Sequence, residues 1–162
     1  LGKFLRAILA GELIPEEDRY NLTRSYVLGR IAVLLGGRTA EQLILNDVRS
    51  GAGDDLKKAT DLARRMVCQW GMSEKLGPMT FQQGEPHPFL GREMAQPKDF
   101  SEETARLIDE EIRDIIKQTQ QEVRDILESH QAVLEALAQD LLDKETLTRE
   151  EVDGLIEEKE GS

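Results

Sequence analysis

SGAGDDLKKATDLARRMVCQWGMSEKLGPM, running from Ser50 to Met79, decides how this chain is read. Within it Leu56, Ala59, Ala63, Met66, Val67 and Trp70 recur at intervals of three and four, which predicts a helix with one buried face. Asp54 and Asp55 stand at the mouth of that helix, where negative charge meets the positive end of the dipole. Gly71 predicts its end, because glycine accepts the left-handed backbone that closes a helix. A Leu-Gly-Pro turn, Leu76 to Pro78, follows. Cys68 falls on the apolar side, so a buried thiol is expected and not a nucleophile. Trp70 is expected as a core anchor. By spacing alone the aspartate pair is a helix start, and nothing in the pattern makes either residue a metal ligand.

Further helices flank this one. Residues 1 to 14 predict a short amphipathic helix, with Phe4, Leu5, Ile8 and Leu9 on one side, ended by Pro15. Thr23 is a candidate cap for a helix carrying Val27, Ile31, Leu34 and Leu35 on one face. Gly36-Gly37 is expected to stop that helix, with a second short one from about Thr39 to Leu45. From Ser73 to Lys98 the chain is too rich in proline and glycine for a long helix, and Met79 to Phe81 is expected as a short extended piece. Asp99 or Ser101 opens a long helix with an apolar seam through Ala105, Ile108, Ile112, Ile115, Thr119 and Val123. Val133, Leu134, Leu137, Leu141 and Leu142 predict an inward stripe on the next helix, after a joint near Ser129. Thr148-Arg-Glu-Glu151 reads as a capping box opening a last helix, with Val152, Leu155 and Ile156 inward.

Composition narrows the function. Aromatics are only 4%, so the core is built from aliphatic side chains, which favours helices over a sheet sandwich. The net charge of −11 lies in the carboxy-terminal part, where the stretch from Asp99 onward holds 20 acidic and 7 basic residues. Such a surface repels nucleic acid, and DNA or RNA is not an expected partner. A single cysteine excludes an internal disulfide. No apolar run reaches the roughly 20 residues of a membrane span. Nucleophilic catalysis by serine or cysteine lacks a base in a suitable arrangement, and no glycine-rich phosphate cradle is present. The histidines are His87, in Pro-His-Pro, and His130; neither has a second histidine four residues on, and both are expected as solvated surface residues.

Several blocks, in order, resemble the carboxy-terminal part of the peptidase domain of FtsH-type ATP-dependent zinc metalloproteases. They are PEEDRY (Pro15–Tyr20), RIAVLLGGRTAEQLIL (Arg30–Leu45), DVRSGAGDDLKKAT (Asp47–Thr60), MSEKLGPM (Met72–Met79), FLGRE (Phe89–Glu93), FSEETARLIDEEI (Phe100–Ile112) and LLDKETLTREEV (Leu141–Val152). The resemblance implies a mainly α fold, a helical bundle with an irregular segment around residues 73–98. It divides the chain into a divergent or junction segment over 1–14, the peptidase part over 15–158, and a tail over 159–162.

The family's third zinc ligand is an acidic residue just ahead of an apolar one in this motif, which the resemblance places on Asp55 before Leu56. Asp54 then assists the helix start. The family's two zinc histidines and its base glutamate belong to a His-Glu-x-x-His helix upstream of PEEDRY, and no such motif occurs in this sequence. No catalytic residue is therefore expected here, and the chain alone is expected to be inactive. In a complete parent the resemblance implies zinc in the peptidase site, and ATP with magnesium in an ATPase module outside this chain. It also implies a homo-hexamer, protein substrates from membrane and cytoplasm, and membrane attachment only through an amino-terminal anchor. The domain itself is expected to be soluble, on the cytoplasmic, organelle-matrix or stromal side. Two functions follow: a share of an ATP-dependent zinc endopeptidase that supplies Asp55 and oligomer contacts, or a proteolytically silent ring component of the same family.

Overall fold

The computed structural model describes residues 22–46, 53–82 and 98–160. Among them the chain forms five helices and no strand: α1 (Arg24–Leu45), α2 (Gly53–Cys68), α3 (Glu102–Ser129), α4 (Gln131–Lys144) and α5 (Arg149–Glu160). The mainly α expectation is met. The expected helix over residues 1 to 14 lies outside the described residues, as does His87. Of the irregular segment, residues 73–82 are described and carry neither helix nor strand. Contacts divide the chain into two compact units, one of Leu1–Ala59 with Lys117–Ser162, the other of Thr60–Ile116.

In the first unit α1 starts at Thr23, whose Oγ1 accepts the Tyr26 amide at 3.2 Å, as its sequence position predicts. The expected break at Gly36-Gly37 does not occur, and α1 runs unbroken to Leu45. Two glycines weaken a helix by roughly 1 kcal/mol each relative to alanine. Packing outweighs that cost here. Past the pair, Thr39 is fully buried with its hydroxyl donating to the Leu35 carbonyl at 2.8 Å. Ala40 and Leu43 then pack against the core. That core joins Ala32 of α1 to Val123 and Leu127 of α3, Val133, Leu134 and Leu137 of α4, and Val152 and Ile156 of α5. Each large aliphatic side chain withdrawn from water in this way contributes about 1.5–3 kcal/mol.

The stripe on α4 is shorter than its sequence suggests. Val133, Leu134 and Leu137 are buried, but Leu141 and Leu142 are exposed. Both lie in the last turn of α4, which ends at Lys144 and meets α5 through the Lys144–Glu151 ion pair at 2.8 Å. The joint at Ser129 is tight, with His130 alone between α3 and α4. The capping box forms as predicted: the Thr148 amide donates to Glu151 Oε2 at 2.8 Å, and the Glu151 amide to Thr148 Oγ1 at 3.3 Å.

In the second unit Ala63, Met66 and Val67 on α2 and Ile108, Ile112 and Ile115 on α3 are buried at the predicted spacing. Ser101 is the cap of α3, accepting the Thr104 amide at 3.2 Å. Asp99 instead accepts the Gln82 amide at 2.9 Å. The expected extended piece at Met79 to Phe81 forms no strand; the Phe81 amide instead donates to the carbonyl of Cys68, the last residue of α2, at 2.8 Å. The Phe81 ring meets Phe100 edge-on, centroids 5.9 Å apart.

Candidate functional site

Gly53, Asp54 and Asp55 open α2, and all three are exposed. The two carboxylates differ in what they touch. Asp54 Oδ2 lies 2.6 Å from Lys58 Nζ, one helical turn on. That hydrogen bond, and then the lysine charge, hold the Asp54 carboxyl below the usual carboxylate range and push Lys58 up. Asp55 lies at the outer edge of the same pair, with its Oδ1 4.0 Å from Lys58 Nζ. Its side chain is 51% exposed, and among the described residues no backbone amide donates to it. Lys58 thus lies closer to Asp54 than to Asp55. This is a difference that spacing alone does not show.

One carboxylate gives one metal bond, while a zinc site needs at least three protein donors. Among the described residues no three of histidine, cysteine, aspartate and glutamate come together. The described residues by themselves do not make up a complete zinc site.

The other candidates have structural work. His130 is half-buried rather than solvated as expected, with Nδ1 2.8 Å from the Ile126 carbonyl at the end of α3. Cys68 is buried, and burial pushes its thiol up, away from the reactive thiolate. Trp70 is half-buried just beyond the end of α2.

A polar clasp in the second unit escaped the sequence reading. Glu111, on the seam of α3 between Ile108 and Ile112, is buried. Ser73 Oγ donates to its Oε1 at 3.0 Å, and Lys75 Nζ lies 3.2 Å from its Oε2. Ser73 Oγ also accepts the Leu76 amide at 3.2 Å. Lys75 reaches Asp114 as well, and these two carboxylates, Asp114 first, push Lys75 up. The clasp fixes the Ser-Glu-Lys-Leu-Gly turn against α3. Gly71 (φ +58°) and Gly77 (φ +76°) supply its left-handed corners. A glutamate three residues from one seam isoleucine and one from another was the available signal, together with the Ser-x-Lys spacing of the turn.

The sequence model of peptidase family M41 matches residues 7–155. The ATP-dependent zinc metalloprotease FtsH of Nitrosococcus oceani is 51% identical over 145 residues, covering 90% of this chain and 23% of that protein. The protein of the same name from Syntrophotalea carbinolica is 48% identical over 153 residues, 94% of this chain and 24% of its own length. That from Marinobacter nauticus is 48% identical over 147 residues, with 91% and 23% covered. The chain spans about a quarter of the length of the curated relatives it matches.

Proposed function

The chain belongs to peptidase family M41, and from that membership we propose that it is the carboxy-terminal share of an ATP-dependent zinc endopeptidase acting on proteins. Its relatives bear the name ATP-dependent zinc metalloprotease. The observation that carries the reading is the split between the two aspartates. Asp54 is engaged by Lys58 at 2.6 Å, while the half-exposed Asp55 has, among the described residues, only a 4.0 Å contact with the same lysine. In this reading Asp55 donates one carboxylate oxygen to a zinc ion whose remaining ligands lie on a His-Glu-x-x-His helix outside this sequence. Zinc in such a site supplies Lewis acidity toward a peptide carbonyl and a water molecule. The part played by this chain is to hold a carboxylate at the start of a rigid helix, where the α2 dipole favours negative charge.

Hydrolysis itself is assigned to the complete protein. ATP and magnesium belong to a module outside these residues, and the subunit contacts of a hexameric ring are a further expected contribution of the helices described here. Among the described residues no helix is long and apolar enough to cross a membrane, so attachment to one is assigned to other parts of the protein.

The test is a chimera in which this chain replaces the matching quarter of the Nitrosococcus oceani protein. Casein cleavage that requires both ATP and zinc is the expected result. A chimera that assembles, hydrolyses ATP and leaves casein intact at saturating zinc would overturn the reading in favour of a silent ring component.

A further inference from the structure

The stretch that follows α2 is tied to that helix at two points. The Met72 amide donates to the Met66 carbonyl at 2.9 Å, and the Phe81 amide to the Cys68 carbonyl at 2.8 Å. Between these ties the turn is held by bonds of its own. The Gly77 amide donates to the Ser73 carbonyl at 3.0 Å, the Met79 amide to the Gly77 carbonyl at 2.9 Å, and the Leu76 amide to Ser73 Oγ at 3.2 Å. Its two limbs meet at the base, where a Cβ on Gly71 would stand 3.1 Å from Pro78 Cα. Ser73 and Phe81 are buried, while residues 74–80 are exposed or half-buried. A segment that buries little apolar surface and keeps its backbone bonds near water opens at a lower free energy than the helices beside it.

What fastens the turn to α3 is polar and charged. The Glu111 side chain is only 10% exposed, and a carboxylate so placed is tolerated only with its partners in position. Both of its partners stand on the turn: Ser73 Oγ at 3.0 Å from Oε1 and Lys75 Nζ at 3.2 Å from Oε2. Lys75 also reaches Asp114, about one turn further along α3. Loss of either partner leaves a charge half-satisfied among isoleucines, and lifting the turn lets water complete its shell. A half-satisfied arrangement is worse than a fully closed or a fully hydrated one, so the contacts form and break together.

We propose that residues 73–80 are a charge-locked strap: Lys75 between Glu111 and Asp114, with Ser73 on the same glutamate, holds it on α3, and it opens as a unit while α2 and α3 stay helical. Opening hydrates Glu111 and frees the Leu76, Gly77 and Met79 amides, and the ties at Met72 and Phe81 set its limits. The assignment uses none of the residues of the metal reading.

The test is hydrogen exchange of the purified chain, resolved amide by amide by nuclear magnetic resonance, in water and in urea below the unfolding transition. In the wild type the Leu76, Gly77 and Met79 amides are expected to be at least tenfold less protected than Ala63 and Val67 inside α2. Their rates should barely respond to urea, because opening the strap exposes little surface. Lys75→Met keeps the aliphatic stem and removes the charge, and Ser73→Ala removes the hydroxyl. Each should speed exchange of the three strap amides about tenfold, the scale of one lost hydrogen bond to a charged group. Far-ultraviolet circular dichroism of both variants should match the wild type. Strap amides that share the protection and the urea response of Ala63 and Val67 would overturn the proposal, since the turn would then open only with the whole unit. Unchanged strap exchange in Lys75→Met would overturn it too, since charge would not be the lock.

Discussion

Replacing Gly37 or Gly71 by alanine is the same chemical change, yet the two are expected to move stability in opposite directions. Gly37 lies inside α1, and a Cβ built there meets nothing within 4 Å. Alanine at that position keeps the helix and lowers its backbone cost, a gain of about 0.8–1 kcal/mol. Gly71 has φ +58°, and its Cβ would stand 3.1 Å from Pro78 Cα and 3.3 Å from the Pro78 carbonyl carbon. The left-handed backbone costs an L-residue about 1–2 kcal/mol. The contact adds to this, because backbone atoms of the turn retreat only if the clasp shifts with them. A loss of roughly 2–3 kcal/mol follows for Gly71→Ala. The two variants should therefore differ by about 3 kcal/mol, or about 1.5 M in urea midpoint at a slope near 2 kcal/mol/M. Far-ultraviolet circular dichroism follows all helices, and the fluorescence of Trp70, next to Gly71, reports the second unit. A destabilised Gly37→Ala would refute the reasoning, since it would mean that α1 is broken at Gly36-Gly37 after all. An unaffected Gly71→Ala would refute the account of the turn.

The remaining expectations are simpler. Ile156→Ala removes a fully buried side chain from the core of the first unit, and should cost about 2–5 kcal/mol in urea unfolding. The Glu151 carboxyl is held below its usual 4.5 by Lys144 first and the Thr148 amide second. A depressed carboxylate stabilises the fold above its unfolded value, and that contribution is lost as pH falls through the folded value. Stability should thus fall below about pH 4.5 in the wild type and fall less steeply in Glu151→Gln, as read by thermal melts across acid pH. Cys68, buried and with its thiol pushed up, should react with a thiol reagent only in denaturant; rapid labelling of the native chain would contradict its burial.

Much of this architecture is legible in apolar spacing. The seam of α3 from Ile108 to Val123 and the face of α2 from Ala59 to Val67 are buried where period and propensity place them. Caps formed from Thr23, Ser101 and Thr148 were equally readable, because a capping oxygen acts on amides two or three residues away. What local pattern misses is tertiary. Gly36-Gly37 looks like a stop, and only the burial of Thr39 and Leu35 beyond and before it explains why the helix continues. Leu141 and Leu142 continue an apolar stripe, but whether a neighbour covers them depends on where α5 lies. Glu111 sits among isoleucines at a position that only the approach of Ser73 and Lys75, nearly forty residues away in sequence, makes tolerable. The candidate ligand falls between these cases. Family likeness singles out Asp55, while the geometry adds that its neighbour Asp54 is the one committed to Lys58.

The central claim is that Asp55, and not Asp54, is given to a metal. Its most direct test is the zinc content of the chimera described above, measured by atomic emission after gel filtration, for wild type, Asp54→Asn and Asp55→Asn. Asp55→Asn should lose most of its zinc while keeping its helical signal and its assembly, and Asp54→Asn should keep its zinc. Full zinc retained by Asp55→Asn, or loss confined to Asp54→Asn, would contradict the account.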